Sequence, residues 1–186
     1  MPTPAKTSLH AIIAAGRAAV SRGGADALTM EHVASAVGVR APSLYKRVRS
    51  RSDLVRLVVE DLLRELARTL EAAAGTGDPA DDLRAMAGAF RAFARTQPHA
   101  FDLLFSGAPH ASRPDPELLV ATIDPVLRAA GALAGPQHAL PAARTFTAWV
   151  TGFVRMELAG AFQLAGDVDE AFEYGARHLA LALALD

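Results

Sequence analysis

Cysteine is absent from the 186 residues, which excludes a disulfide framework, a thiolate nucleophile and any cysteine-ligated metal site. Long apolar runs are missing as well. No window approaches the roughly 20 uninterrupted apolar residues that a membrane span needs. The opening MPTPAKTSLHAIIAAGRAAV has its apolar run broken at Gly16 and Arg17, so it makes a poor secretion signal. Nor is there sustained alternation of apolar and polar residues, the mark of a half-buried strand. Together these absences predict a soluble, cytoplasmic, helical protein.

The constellations that carry catalysis are also missing. There is no HExxH, no Glu-x-x-His pair of a di-iron bundle, no glycine-rich phosphate loop after a strand and no serine-hydrolase elbow. The six histidines, at 10, 32, 99, 110, 138 and 178, lie without ligand spacing. The expectation is a protein that is not an enzyme and that uses no metal or cofactor.

What is present is a folded composition, 51% hydrophobic and 21% charged, long enough for a small domain joined to a larger one. The formal net charge of -1 hides an asymmetry. Residues 1–58 hold nine bases against three acids, a balance of +6, so the remainder carries -7. The stretch RAPSLYKRVRSR, Arg40 to Arg51, concentrates five of those bases around one tyrosine. A basic head on an acidic body suits a polyanionic partner, of which nucleic acid is the commonest. A merely solvated basic face has the same composition, and charge alone does not separate the two.

Helical spacing runs through nearly the whole chain. Leu9, Ile12, Ile13, Gly16 and Val20 define a first helix ending at Arg22–Gly24. Thr29 reads as the N-cap of a short second helix and Gly38 as the residue just past its end. Pro42 suits the first turn of a short third helix, about 41–47. Ser52 and Asp53 open a long fourth, with Leu54, Val55, Val58, Leu62, Leu66 and Leu70 on its apolar face. Asp81 and Asp82 suit the start of a helix reaching Thr96, and Pro98 restarts a short one. Ser106 to Pro116 reads as an irregular loop. A helix over about 117–134 has Pro125 as a kink or break, and two helices follow, from Pro141 to about Leu164 and from Val168 to about Ala184. The class is all-α, with about nine helices. The predicted domains are a head over 1–55, a linking fourth helix over about 52–74, and a body over 78–186.

Two short helices joined at Gly38–Arg40, with a helix before and a long helix after, describe a helix-turn-helix. Its second helix enters the major groove and its N-terminal residues reach base edges. That geometry points Arg40, Ala41, Pro42, Ser43 and Lys46 at bases or nearby phosphates. Leu44, Val48, Val33 and Val37 are core of the head. The segment LTMEHVASAVGVRAPSLYKRVRSRSDL, Leu28 to Leu54, closely resembles the DNA-binding head of the tetracycline-repressor (TetR) family, over residues 8 to about 58. The resemblance implies that Thr29, Tyr45 and Arg51 contact phosphates with Lys46 and Arg47 beside them. It also implies that Arg40, Pro42 and Ser43 face bases, with Lys46 a further candidate, and that the partner is a double-stranded operator. The chain departs from the family at Ala41, which offers no hydrogen bond, at acidic Glu31 and at Val48.

One such head reads only a few base pairs, so a symmetric dimer binding a palindrome is expected. The resemblance assigns dimerisation to the last two helices. Gly152 and Ala159 would allow close approach, and Phe172, Gly175, Leu179 and Leu183 line the final helix; the same residues could equally form an intrachain core. Eight of the eleven aromatic residues lie in the middle of the chain, between Phe90 and Phe162. Met86, Phe90, Phe93, Phe101, Phe105, Trp149, Phe153 and Met156 are either plain core or, as the resemblance implies, the wall of a cavity for a small hydrophobic or aromatic effector. The stretches Phe90–Ser106 and Ala148–Gly160 are similar to the Trp-His-Gly subgroup, although Thr151 stands where that histidine is expected. The implied function is a ligand-responsive DNA-binding transcriptional regulator, by family habit a repressor. A helical small-molecule-binding or scaffold protein without specific DNA binding is the alternative.

Overall fold

Helix boundaries in this chain trace to the residues able to satisfy the free backbone groups at helix ends. The computed structural model describes residues 8–105 and 113–184. Among the described residues there are nine α-helices and no strand: α1 (Leu9–Gly23), α2 (Met30–Ala36), α3 (Ala41–Leu44), α4 (Arg51–Ala73), α5 (Pro79–Thr96), α6 (Pro98–Phe105), α7 (Pro116–Ala134), α8 (Ala139–Leu158) and α9 (Val168–Ala182). This is the all-α class that the periodicity predicts. Most of the expected loop Ser106–Pro116 lies outside the described residues. Among the described residues, no single helix is long and apolar enough to cross a membrane.

The chain divides into two compact units. The first comprises residues 1–65 and 97–119, so α6 belongs with the head rather than with the body helices. Its core is fully buried Ile12, Leu28, Val33, Leu44, Val48, Leu54 and Val58. Gly16 is where α1 meets α4: a Cβ there would lie 2.7 Å from Val58 Cγ2 and 3.2 Å from Leu28 Cδ1. On the neighbouring turn position, Arg17 donates to Asp61 at 3.0 Å, to Gln97 at 3.2 Å and to Glu65, and Gln97 in turn donates to Glu65 at 2.7 Å. One guanidinium thereby ties α1 to α4 and to the residue preceding α6.

The second unit comprises residues 66–96 and 120–186, with α5, α8 and α9 packed together. Its interior holds Leu83, Met86, Phe90, Phe93, Phe146, Val150, Val154 and Phe172. Trp149 stacks on Phe172 with centroids 5.6 Å apart, and Phe153 meets Phe172 edge-on at 5.2 Å. Arg91, only 7% exposed, makes a two-pronged pair with Glu157 at 2.7 and 2.6 Å, reaches Asp169 at 2.6 Å and lies 4.6 Å from the Phe172 ring centroid. It joins α5, α8 and the first turn of α9.

Several expected boundaries move, and the caps and turns give the local reason for most of them. The N-cap of α4 is Ser50, whose hydroxyl accepts the N–H of Asp53 at 3.1 Å, so the helix opens at Arg51 rather than at Ser52. Asp78 caps α5, accepting from Ala80 and Asp81, which brings Pro79 into its first turn. Asp82, expected at that start, turns back to bind the N–H groups of Gly75 and Thr76. α8 stops at Leu158 because Gly160 adopts φ 63° and the 6→1 bond from Ala161 N–H to Met156 O closes the end. α7 continues through Pro125, which is buried, so of the expected kink or break the helix shows no break.

Candidate nucleic-acid interface

The helix-turn-helix is assembled from caps. Thr29 Oγ1 accepts the N–H of His32 at 3.1 Å and so starts α2; its own hydroxyl hydrogen stays available for donation. The helix ends at Gly38, φ 74°, where Val39 N–H reaches back to Ala34 O at 2.9 Å and Gly38 N–H to Ser35 O at 3.0 Å. That tight stop sends the chain directly into Arg40, the N-cap of α3, whose side chain makes no capping bond. Pro42 occupies the first turn of α3 as expected.

α3 is shorter than the expected span to residue 47, and its end is completed by turns in which Arg47 and Val48 N–H both bond Leu44 O, at 2.8 and 3.0 Å. Leu44 and Val48 are fully buried and anchor the segment to the head. Arg40, Pro42, Ser43, Tyr45, Lys46, Arg47 and Arg49 are exposed around these anchors, and Ala41 is half-buried. Tyr45 is 53% exposed, too much for a packing residue alone. Val37, expected as core with Val33, is half-buried.

Charge pairing is uneven along the chain. Arg17, Arg56, Arg64, Arg84, Arg91, Arg95 and Arg128 each pair with carboxylates. Among the described residues, none of Arg40, Lys46, Arg47 and Arg49 enters a salt bridge with a carboxylate. Arg40, Lys46 and Arg47 hold exposed charge around one short helix without a salt bridge, and Arg49 beside them has Asp53 as a nearby opposite charge, so this face carries an excess of positive charge.

Arg51, to which the resemblance assigns a phosphate contact, is exposed and uses part of its guanidinium within the head. Its Nε donates to Leu28 O at 2.9 Å and its Nη2 to Ala25 O at 2.8 Å. Sequence reasoning also missed two supports of the segment. The Asp53 carboxylate accepts the backbone N–H of Arg49 at 2.9 Å and pairs with Arg56 at 2.7 Å, which holds its pKa below the usual aspartate value. Arg22 Nη2 lies 3.2 Å from His32 Nε2. The Ser50-x-x-Asp53 spacing, a capping pattern, was the one available signal for the first; the second had none.

In the body, Met86, Phe90 and Phe93 are buried, Trp149 and Phe153 are half-buried, and Met156 is exposed, all within the second unit. Phe101 and Phe105 belong to the first unit, where their rings pair at 4.9 Å. Of the residues assigned to dimerisation, Gly152 and Ala159 are exposed on α8. Phe172 and Gly175 instead turn toward Trp149 of the same chain, and Leu179 and Leu183 are half-buried. The large apolar residues that α9 exposes are Tyr174 and Leu181. Among the described residues, no group of three or more metal-ligating side chains lies together.

A capped helix-turn-helix with an exposed basic face, carried on a helical chain, is the arrangement of a helix-turn-helix DNA-binding regulator. Residues 12–58 match the family profile described as bacterial regulatory proteins, tetR family, and residues 83–179 match that described as tetracyclin repressor-like, C-terminal domain. The chain is 34% identical over 168 residues to the uncharacterized HTH-type transcriptional regulator Rv0681 of Mycobacterium tuberculosis, covering 84% of this chain and 73% of the relative. A protein of unknown function from Rhodococcus sp. RHA1 shares the fold with TM-score 0.79 at 22% identity, over 98% of this chain and 97% of that one. A single-substitution variant of TetR from Acinetobacter baumannii AYE, solved in complex with minocycline, shares it with TM-score 0.70 at 23% identity, over 94% and 95%. The chain belongs to the TetR family, and it is a DNA-binding transcriptional regulator.

Proposed function

We propose that this regulator is a homodimeric repressor of the cytoplasm that leaves a palindromic operator when a small hydrophobic molecule binds its body. The observation that supports the DNA end of this reading is the exposed basic surface around Leu44 and Val48. Arg40, Pro42, Ser43 and Lys46 read base edges, with Ala41 offering only an apolar contact, while Thr29, Tyr45 and Arg47 hold phosphates. The cation count sets the salt dependence: each phosphate neutralised contributes about 0.9 to the slope of log affinity against log salt.

In the dimer, α8 contributes its exposed Gly152 and Ala159 and α9 its exposed Tyr174 and Leu181. The effector cavity is lined from Met86, Phe90, Phe93, Trp149, Phe153 and Met156 of the body helices. The minocycline complex of the structurally similar Acinetobacter protein supports a small-molecule effector for this chain. α4 runs unbroken from Arg51 to Ala73 and belongs to both units. Effector binding that favours one placement of α4 changes the operator affinity by the same factor by which operator changes effector affinity. No catalytic step enters this function.

The test is a footprint on the DNA flanking the protein's own gene, repeated across a salt series and with hydrophobic ligands. A protected palindrome whose occupancy falls steeply with salt and is released by a ligand is expected. Absent or salt-independent protection would leave a helical small-molecule-binding or scaffold protein.

A further inference from the structure

A cation in the first turn of a helix faces the positive end of the helix dipole. Arg51, which opens α4, therefore stands where its charge is unfavourable unless something nearby uses it. The groups that use it are backbone carbonyls, Leu28 O at 2.9 Å and Ala25 O at 2.8 Å. Both belong to the connection between α1 and α2, a single 3-10 turn over Ala25–Ala27 that has no side-chain cap of its own. Gly24, φ 67°, leads into that turn, and Thr29, the cap of α2, follows it. Two residues further along α4, Asp53 accepts the N–H of Arg49 at the exit of the recognition segment. The first turn of α4 thereby grips both ends of the helix-turn-helix.

We propose that Arg51 is a positioning residue for DNA binding, whose guanidinium fixes the Ala25–Leu28 turn, and with it Thr29 and the N-terminus of α2, instead of contacting phosphate. This inference rests on the DNA-binding function stated above. The role requires a planar fork. Nε and one Nη reach two carbonyls at once, whereas a lysine ammonium is a point charge on a flexible stem. Charge and geometry can therefore be separated: a phosphate contact survives replacement by lysine and is lost with the charge, while a positioning contact is lost with the fork.

The full-length protein, R51K and R51M are compared on a duplex that the wild-type protein selects from a random-sequence pool, and on a scrambled duplex of equal length, across a salt series. R51K and R51M should both lose about tenfold in affinity for the selected duplex, the scale of one lost hydrogen bond to a charged group. Both should keep the wild-type salt slope, since the Thr29 hydroxyl carries no charge, and should retain measurable binding to the scrambled duplex. In the free proteins, amide exchange over Thr29–Val33 should be faster in both variants than in wild type. Wild-type affinity in R51K, with a slope shallower by about 0.9 in R51M, would overturn the proposal in favour of a direct phosphate contact. Loss of helicity in both variants, with scrambled binding lost too, would reduce Arg51 to a folding role and overturn it as well. A wild-type protein that selects no duplex would instead overturn the DNA-binding function on which the inference stands.

Discussion

Gly175 of α9 lies so close beneath Trp149 of α8 that a Cβ there would come within 2.9 Å of Cη2 and 3.0 Å of Cε2 of the indole, and nearer still to Cζ2. The indole is stacked on Phe172 and in contact with Phe153 at 5.7 Å, so it cannot withdraw as the tip of a flexible side chain could. Gly175→Ala should destabilise the chain by about 1–3 kcal/mol through overpacking. Gly88 of α5 is the control, since a Cβ there meets nothing within 4 Å; Gly88→Ala should stabilise by about 0.5–1 kcal/mol. Thermal unfolding of the two variants should move in opposite directions.

Arg40 and Lys46 should fail differently. Arg40→Ala removes an exposed guanidinium at the start of α3 and should relax discrimination at one base position, worth about 1–3 kcal/mol. Lys46→Ala should weaken binding to the operator and to scrambled DNA; if its contact is to phosphate, the salt slope falls by about 1. Binding titrations at several salt concentrations distinguish the two patterns.

Asp53 links head stability to acid. The Arg49 N–H and then the Arg56 guanidinium hold its carboxylate charged, so its folded pKa lies below the ordinary aspartate value of 3.8. Unfolding in that range takes up a proton. The stabilisation is thus complete above about pH 4 and is lost as pH falls through the folded pKa. Asp53→Asn should cost about 1 kcal/mol at neutral pH, the scale of a helix cap, with the gap to wild type closing in acid. A gap that stays constant down to about pH 2 would contradict this assignment.

Arg91→Met should cost about 3–5 kcal/mol, because it leaves Glu157, whose side chain is 16% exposed, without its close counter-charge, Arg95 standing 3.9 Å away. Adding Glu157→Gln should recover part of that loss. Chemical denaturation of the two single variants and the double variant measures the coupling.

Gly152 lies exposed at mid-α8 with nothing within 4 Å of a built Cβ. Gly152→Arg should therefore leave helicity intact while dissociating the proposed dimer. Sedimentation velocity should show monomers, and affinity for a palindrome should drop to that for a half-site.

Periodicity and caps make much of the head legible. Val33, Leu44 and Val48 have the spacing of core residues and are fully buried; Thr29 and Gly38 bound α2 as their chemistry predicts. Contacts whose partners are backbone groups far along the chain are not legible. Nothing in a side-chain pattern announces that Arg51 meets carbonyls 23 and 26 residues away. In the body, spacing identifies the apolar stripe of α9 but not what covers it. Phe172 and Gly175 would read the same whether they met a second copy or, as found, Trp149 of their own chain. Arg91 escapes notice because a buried arginine looks like any surface arginine until its carboxylates, 66 and 78 residues on, are brought to it.

The hydrogen bonds from the first turn of α4 define what can be transplanted. A recognition segment cut at Val48 would leave behind Asp53, which holds its exit, and Arg51, which holds the turn before its first helix. A swap of operator preference between two such regulators should therefore exchange only the outward side chains of 40–47, or else carry the whole of 25–53 as a single cassette.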